Sequence, residues 1–385
     1  MVIAVNTRFL RKGALEGYGY FIQEVFTRLA ALHPEHRFYF IFDRPYDPSF
    51  MFSPNVIPLV IGPPARHPLL WKFWYDLRLP RLLKKIKADV FVSPDGYCSL
   101  ATKVPQCLVV HDLGFLHYPK GYQKSHLLYL KRYVPRFLKR AQSVATVSIF
   151  SKKDIMERYG IPEEKISVVY SAAKEVFQPI SFMEREVVKE KHSGGAEYFI
   201  YVGAIQPRKN LENLLRAFSF FKKRQQSGMK LVLAGRLAWK NEDFLKLLRT
   251  FRFRDDVILT GYLEEKDLAR LLAGAYALVY PSFFEGFGVP VVEAMKCHVP
   301  VLTSEGTSMQ EIAGEAALYF NPREVNEMAE AMMRIYKDER LRSGLILKGK
   351  ETVLQYSWDR TAALVGSAIE RAVNQKKLPS PLNFQ

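Results

Sequence analysis

Cysteine is scarce, with three residues in 385: Cys98, Cys107 and Cys297, an odd count without metal-ligand spacing. That pattern excludes a disulfide framework and fits a reducing compartment, the cytoplasm. Long apolar runs are missing as well. No stretch approaches the roughly 18 apolar residues of a membrane-spanning helix, and MVIAVNTRF lacks the charged-then-apolar pattern of a leader peptide. Membrane contact is therefore expected to be peripheral, on the inner face of the cell membrane. Acids are in the minority, 39 Asp and Glu against 56 Lys and Arg. No Asp-x-Asp pair and no His/Cys cluster with ligand spacing occurs, so no catalytic metal is expected. The absence of any recognised nucleic-acid motif leaves only weak, salt-dependent binding of nucleic acid, and the absence of a short repeat excludes a solenoid.

What is present is globular composition, 48% apolar and 25% charged, in a chain longer than one core usually holds. Two domains are expected. The net charge is +17, and about 12 of it lies in residues 1–175. Its densest clusters are RLLKKIK, from Arg81 to Lys87, and KRYVPRFLKR, from Lys131 to Arg140, which mix cations with Leu, Phe and Tyr. Two readings stay open for them: solvated helix faces, or an anionic membrane surface.

Short apolar runs alternate with helical patterns: VIAVN, RFYFIF, NVIPLVI, ADVFVS, QCLVVHD, SVATVS and KISVVY, then YFIYVGA, MKLVLAG, DVILTGY, ALVYPS, VPVLTS and AALYF. Such alternation predicts α/β architecture with parallel sheets covered on both faces. Residues 1–175 read as one Rossmann-like domain, the charged stretch 176–196 as a linker, and 197–355 as a second Rossmann-like domain. Residues 356–385 read as a helix that crosses back to the first. SKKD, at 151–154, resembles a helix cap. Ligands of parallel sheets gather beyond the carboxyl ends of the strands, so two such domains are expected to face a cleft between them.

PSFFEGFGVPVVE, residues 281–293, sets two carboxylates around a glycine-rich turn. Gly286 and Gly288 permit close backbone approach, Pro290 suits a helix start, and the N–H groups of that start can receive an anion. Glu285 then projects from the turn, where it can meet a sugar. Glu293 lies in the first helical turn, where its two oxygens suit a ribose diol. A dipole-complementing Glu293 and a solvated Glu285 are the plainer alternatives, the latter disfavoured by the flanking FF and GFG. YVGAIQPRKNLENLL, residues 201–215, again reads strand, turn, helix. Arg208 and Lys209 stand at the helix opening, where cations are unfavourable, so either an anionic diphosphate or plain solvent meets them. GALEGYGYF holds Gly17 and Gly19, two glycines of a dinucleotide fingerprint lacking its third; a close-packed turn explains them equally. VVHDLGF puts His111 and Asp112 at the end of a buried strand.

Glu285, seven intervening residues and Glu293, inside SFFEGFGVPVVEAMKCHVPVLTS, resemble the signature of the retaining glycosyltransferases of family 4, which have the GT-B fold. VGAIQPRKNLENLLRAF, GYLEEKDLARLLAGAYALVYPS, SMQEIAGEAALYFNP, and HDLGFLHYP with VATVSIFSKKDI agree in order, so the resemblance spans nearly the whole chain. It implies a nucleotide-diphosphate sugar as donor substrate and no cofactor or metal. Glu293 would hold the ribose, Arg208 and Lys209 the diphosphate, Tyr262 and Leu263 the base, and Glu285 the donor sugar. Gly203, Gly286, Phe287, Gly288 and Val289 would complete the donor site, with Gly17, Gly19 and His111 closing on it from the other domain. Catalytic roles would fall on Glu285, His111, Arg208 and Lys209, in same-face attack with the departing phosphate helping to deprotonate the acceptor. PRKNL, the basic N-terminal half and the interleaved aromatics are most similar to transferases of bacterial surface polysaccharide or lipopolysaccharide that act on glycan or lipid-linked acceptors. Mannose from GDP-mannose is the first choice of donor. The competing classes are an epimerase or hydrolase on the same scaffold and a catalytically silent sugar-nucleotide or nucleic-acid binder. Two positions depart from the family pattern: Cys297 and His298 replace a common glycine, and Ala204 replaces a common arginine, which leaves more of the clamp to Arg208 and Lys209.

Overall fold

The computed structural model describes residues 1–13, 15, 17–65, 67–237 and 241–375. It contains two compact units, one built from Met1–Ser171 with the segment beginning at Trp358, the other from Ala172–Ser357.

The first unit is a seven-stranded sheet in the order β3-β2-β1-β4-β5-β6-β7. Its strands are β1 Val2–Asn6, β2 Arg37–Phe42, β3 Val56–Val60, β4 Val90–Ser93, β5 Gln106–Val110, β6 Ser143–Thr146 and β7 Ile166–Val168. Every pairing is parallel. Every residue of β4, β5 and β6 is buried, as central strands covered on both faces require. Helix Gly17–Leu32 turns Phe21, Ile22, Val25, Phe26 and Leu29 inward, the helical spacing visible in the sequence. Helix Trp358–Asn374 packs on this unit: Ser143 Oγ donates to the Ala368 carbonyl at 2.7 Å, and Arg28 meets Asp359 at 2.7 Å. Helix Ile149–Tyr159 is capped by Ser148, whose hydroxyl accepts from the Ser151 N–H at 3.0 Å. The cap expected at Ser151 thus lies three residues earlier, because Ser148 has the extended backbone a cap needs, while Ser151 is already helical and donates to the His111 carbonyl.

The second unit is a six-stranded parallel sheet, β10-β9-β8-β11-β12-β13. Its strands are β8 Tyr198–Val202, β9 Lys230–Ala234, β10 Val257–Gly261, β11 Ala277–Tyr280, β12 Val301–Ser304 and β13 Ala317–Phe320. The stretch 176–196, expected as a linker, holds helix Phe182–Ser193 of this unit. Ser181 and Glu184 form a capping box at its start, Gly194 ends it in the left-handed conformation, and Arg185 and Lys189 pair with Glu197 at 2.6 and 3.1 Å. Its charges belong to a capped surface helix.

Strand order reverses once in each sheet, between β1 and β4 and between β8 and β11. At such switch points the loops leaving adjacent strands diverge and open a crevice. Beyond β8 and β9 the backbones nearly touch. Gly203 N donates to the Ala234 carbonyl at 2.9 Å, and Gly235, at φ 154°, would place a Cβ only 2.0 Å from the Gly203 carbonyl oxygen. Gly235→Ala should therefore cost about 2–4 kcal/mol and lower the calorimetric melting temperature of the second unit. Gly228→Ala, where a Cβ meets nothing within 4 Å, should stay within about 0.5 kcal/mol. Equal melting of the two variants would contradict the close approach.

Candidate active site

The β8/β11 switch point gathers the residues singled out by both C-terminal motifs. β8 and β11 are hydrogen-bonded neighbours, with Phe199 opposite Ala277 and Ile200 opposite Leu278. The segments that follow them therefore meet. Lys209 Nζ donates to Glu285 Oε1 at 2.6 Å and to the Tyr280 hydroxyl at 2.7 Å. An Arg208 guanidinium nitrogen lies 3.2 Å from Glu285 Oε2 and also donates to the Phe284 carbonyl. Backbone ties hold the two loops in register: Phe283 N donates to the Arg208 carbonyl at 3.0 Å, and Ser308 Oγ donates to the Glu285 carbonyl at 2.8 Å. Asn210, buried and at φ 62°, donates to the carbonyls of Pro281 and Pro322 at 3.1 and 2.6 Å.

Arg208 and Lys209 do not open the helix as the sequence suggests. They occupy the short 3-10 turn Pro207–Lys209, and the left-handed Asn210 separates them from helix Leu211–Gln225. The signal was present, since an Asn after a polar turn is a favoured left-handed residue.

Glu285 is only 7% exposed, in a loop where 284–288 are all buried, so a solvated carboxylate is ruled out. Burial alone would favour its protonated form; Arg208 and Lys209 outweigh that and hold it down to about 2. It is an anion at any physiological pH. Burial pushes the hydroxyls of Tyr280 and Tyr201 far up, so both stay neutral, their rings stacked at 6.0 Å and 14°. Arg208, Lys209 and Glu285 together carry one surplus positive charge.

Gly288, at φ 93°, leads into helix Val289–Lys296, with Pro290 in its first turn. A Cβ on Gly288 would crowd Met309 Cγ at 3.0 Å. Glu293 is the fifth residue of the helix, just past the first turn in which it was expected, and the helix-dipole account of it weakens accordingly. It is 7% exposed, and among the described residues no cation reaches ion-pair distance of its carboxylate. Burial raises it to about 7, with Lys174 opposing and Glu265 adding to the shift. Phe287 is buried with its ring edge-on to Tyr356 at 5.6 Å, a packing contact. Exposed Tyr262 and half-buried Leu263 follow the edge strand β10, and Gly203 follows β8.

In the first unit, Gly19 answers to packing, because a Cβ there would lie 2.6 Å from the Phe9 carbonyl oxygen. Gly17 begins the same helix with open space around it. His111 follows β5; its Nε2 lies 3.0 Å from the Pro94 carbonyl and must donate to it, which leaves Nδ1 as an acceptor. Tyr18 and Phe21 pack edge-on at 4.7 and 5.0 Å, and burial lowers its pKa, so the ring is neutral. Sequence reasoning missed Arg8 and Asp95, which pair at 2.7 Å, both buried, at the β1/β4 switch point. Their signal was polar NTR and SPD directly after buried strands. Contrary to the expectation that no His cluster with ligand spacing occurs, His33, Glu35 and His36 of HPEH bring ligand atoms within 4.8 Å of one another, the one group of metal-ligand type among the described residues. It precedes β2, at the amino ends of the parallel strands, whereas Arg8 and His111 follow the carboxyl ends of β1 and β5.

The family model described as Glycosyltransferase Family 4 matches residues 16–173, and the one described as Glycosyl transferases group 1 matches residues 182–352. O-antigen chain mannosyltransferase B of Escherichia coli is 28% identical over 299 residues, covering 76% of this chain and 78% of that protein. O-antigen chain mannosyltransferase RfbU of Salmonella typhimurium is 28% identical over 321 residues, 82% of this chain and 83% of that protein. HepE from Anabaena, solved in complex with UDP-glucose, matches with a TM-score of 0.73 at 16% identity, over 98% of this chain and 99% of its own, a likeness of fold. With one family model on each unit and two parallel sheets of GT-B type, the chain belongs to the group 1, family 4 glycosyltransferases.

Proposed function

We propose that this glycosyltransferase moves a hexose, mannose as first choice and GDP-mannose as donor, to a glycan or lipid-linked acceptor in bacterial surface polysaccharide assembly. The observation that carries the reading is the Arg208, Lys209 and Glu285 cluster at the β8/β11 switch point. The names of the two curated relatives support mannose and O-antigen.

Glu285, held near 2, is too weak a base to deprotonate an acceptor. Its work is to accept hydrogen bonds from hydroxyls of the donor sugar. Deprotonation then falls to the departing phosphate, as retention by same-face attack requires. The surplus positive charge beside Glu285 and the N–H groups at the start of helix Val289–Lys296 oppose the charge that grows on the leaving diphosphate. These are protein cations, so the reading takes no metal. Glu293 accepts from the ribose diol, Tyr262 and Leu263 flank the base, and His111 offers Nδ1 to a substrate hydroxyl. In this reading the basic clusters from Arg81 to Lys87 and from Lys131 to Arg140 serve an anionic membrane surface, which their mixture of cations with Leu, Phe and Tyr supports. Among the described residues no helix is long and apolar enough to cross a membrane.

The pH dependence of donor binding follows from Glu293. Its ionised form accepts the diol, and with a value of about 7 it is mostly ionised at pH 8 and mostly protonated at pH 6. GDP should raise the melting temperature at pH 8, and its affinity should fall about tenfold by pH 6. Glu293→Gln should bind weakly at both values; an unchanged wild-type affinity across this range would remove Glu293 from the ribose.

Glu285→Gln should lower transfer of labelled mannose from GDP-mannose by at least about 100-fold while GDP affinity changes little. Equal loss of GDP binding would move Glu285 from the sugar to the nucleotide. Donor consumed equally fast without acceptor would make the enzyme a hydrolase.

A further inference from the structure

We infer that the outer face of the helical segment 68–85 in the first unit is the surface that seats this enzyme on an anionic lipid leaflet, with Leu69, Leu70, Phe73 and Leu77 entering the headgroup region. The inference deepens the reading of a lipid-linked acceptor and rests on it for its biological purpose.

The segment is helix Pro68–Phe73, the π-turn Trp74–Arg78 and helix Leu79–Lys85. Its inner side is fixed. Trp74, Tyr75, Leu79 and Leu83 are buried, Trp74 Nε1 donates to the Ile61 carbonyl at 2.8 Å, and Trp71 Nε1 donates to the Ala65 carbonyl at 2.6 Å. The Arg8 guanidinium, tied to Asp95, sits 5.4 and 5.0 Å from the Trp74 and Tyr75 rings. The outer side is apolar where water is expected: Leu69 is 75% exposed, and Leu70, Phe73 and Leu77 between 36% and 41%. Beside it runs helix Lys124–Arg140, whose Leu128 is 69% exposed. Trp71 meets His126 and Tyr129 of that helix at 4.9 and 5.0 Å, and Lys72 reaches the Tyr133 hydroxyl at 3.4 Å. Five of the nine large exposed apolar side chains described in the first unit lie on these two elements, so the exposure is concentrated.

Charge selects the partner. Exposed Lys72, Arg78, Arg81, Lys84 and Lys85 share the segment with a single acid, Asp76, which is half-buried and accepts from the Leu100 N–H at 2.8 Å. Exposed Lys124, Lys131, Arg132, Arg136 and Lys139 line the neighbouring helix, and no acid occurs between Asp112 and Asp154. An anionic partner is required. Exposed leucines do not stack on bases as a nucleic-acid surface would demand; aliphatic side chains ringed by Lys and Arg are the composition of an interfacial helix.

The test uses the full chain and vesicles of phosphatidylglycerol with phosphatidylcholine, or of phosphatidylcholine alone. The protein should sediment with the anionic vesicles and not with the neutral ones. Combined Leu69→Ser, Leu70→Ser and Phe73→Ser should weaken that by at least about tenfold while GDP still raises the melting temperature equally. Leu69→Trp should keep binding, and its emission should be quenched by brominated lipid. Undiminished sedimentation of the serine variant, no added quenching in Leu69→Trp, or displacement by RNA in place of lipid binding would overturn the surface. No vesicle binding by a protein that still transfers mannose to a water-soluble acceptor would overturn it too, leaving the transferase reading standing. Vesicle binding without any transfer would do the reverse.

Discussion

A carboxylate stays fully ionised out of water where cations or hydrogen-bond donors replace its hydration, and the second unit is arranged around one held by cations. Glu285 is held by Lys209 at 2.6 Å and Arg208 at 3.2 Å, and the loops that bring them together depend on that attraction. Removing one partner would strand a buried charge, an error that costs about 3–5 kcal/mol in other proteins. The surroundings serve the pairing. The β8/β11 neighbourhood sets the loops side by side, Asn210 clamps the Pro281 and Pro322 carbonyls, and Tyr280 gives Lys209 a second acceptor. The chemistry proposed for the site uses the same arrangement, since an anion with little basicity can hold hydroxyls without taking their protons.

The two units share a device and use it differently. Each sheet reverses strand order once, and each reversal carries an ion pair between the loops of adjacent strands: Arg8 with Asp95, and Lys209 with Glu285. In the first unit the pair is closed off. Phe9, Trp74, Tyr75 and Tyr97 surround Arg8, and it anchors the helical segment whose outer side carries the exposed leucines. In the second, Arg208 keeps 22% of its side chain exposed against 6% for Arg8.

Much of this was legible in the sequence. Alternation of apolar runs and helical patterns corresponds to thirteen strands in two parallel sheets among the described residues, and both C-terminal motifs are visible as loops after strands. What the sequence conceals is adjacency. Nothing in PRKN and FFEGFG, more than 70 residues apart, says that their cations and carboxylate bond to one another, because that follows from strand order. Glu293 falls just past the first helical turn because the helix starts at Val289, one residue before the Pro290 that suggests its start in the sequence. The 176–196 stretch looked like a linker because charge dominates its composition, and the Ser181 to Glu184 capping box was the outvoted local signal. Gly19 resembled a phosphate loop yet is explained by the Phe9 carbonyl above it, a contact between residues ten apart that spacing does not display.

The Lys209 and Glu285 pairing underlies the site, and a double-mutant cycle on the unfolding of the second unit measures it most directly. Lys209→Met and Glu285→Gln should each destabilise, and the double variant should be more stable than their sum predicts by about 1–3 kcal/mol. Strictly additive losses would mean that the two side chains do not hold one another, and the site would lose its foundation.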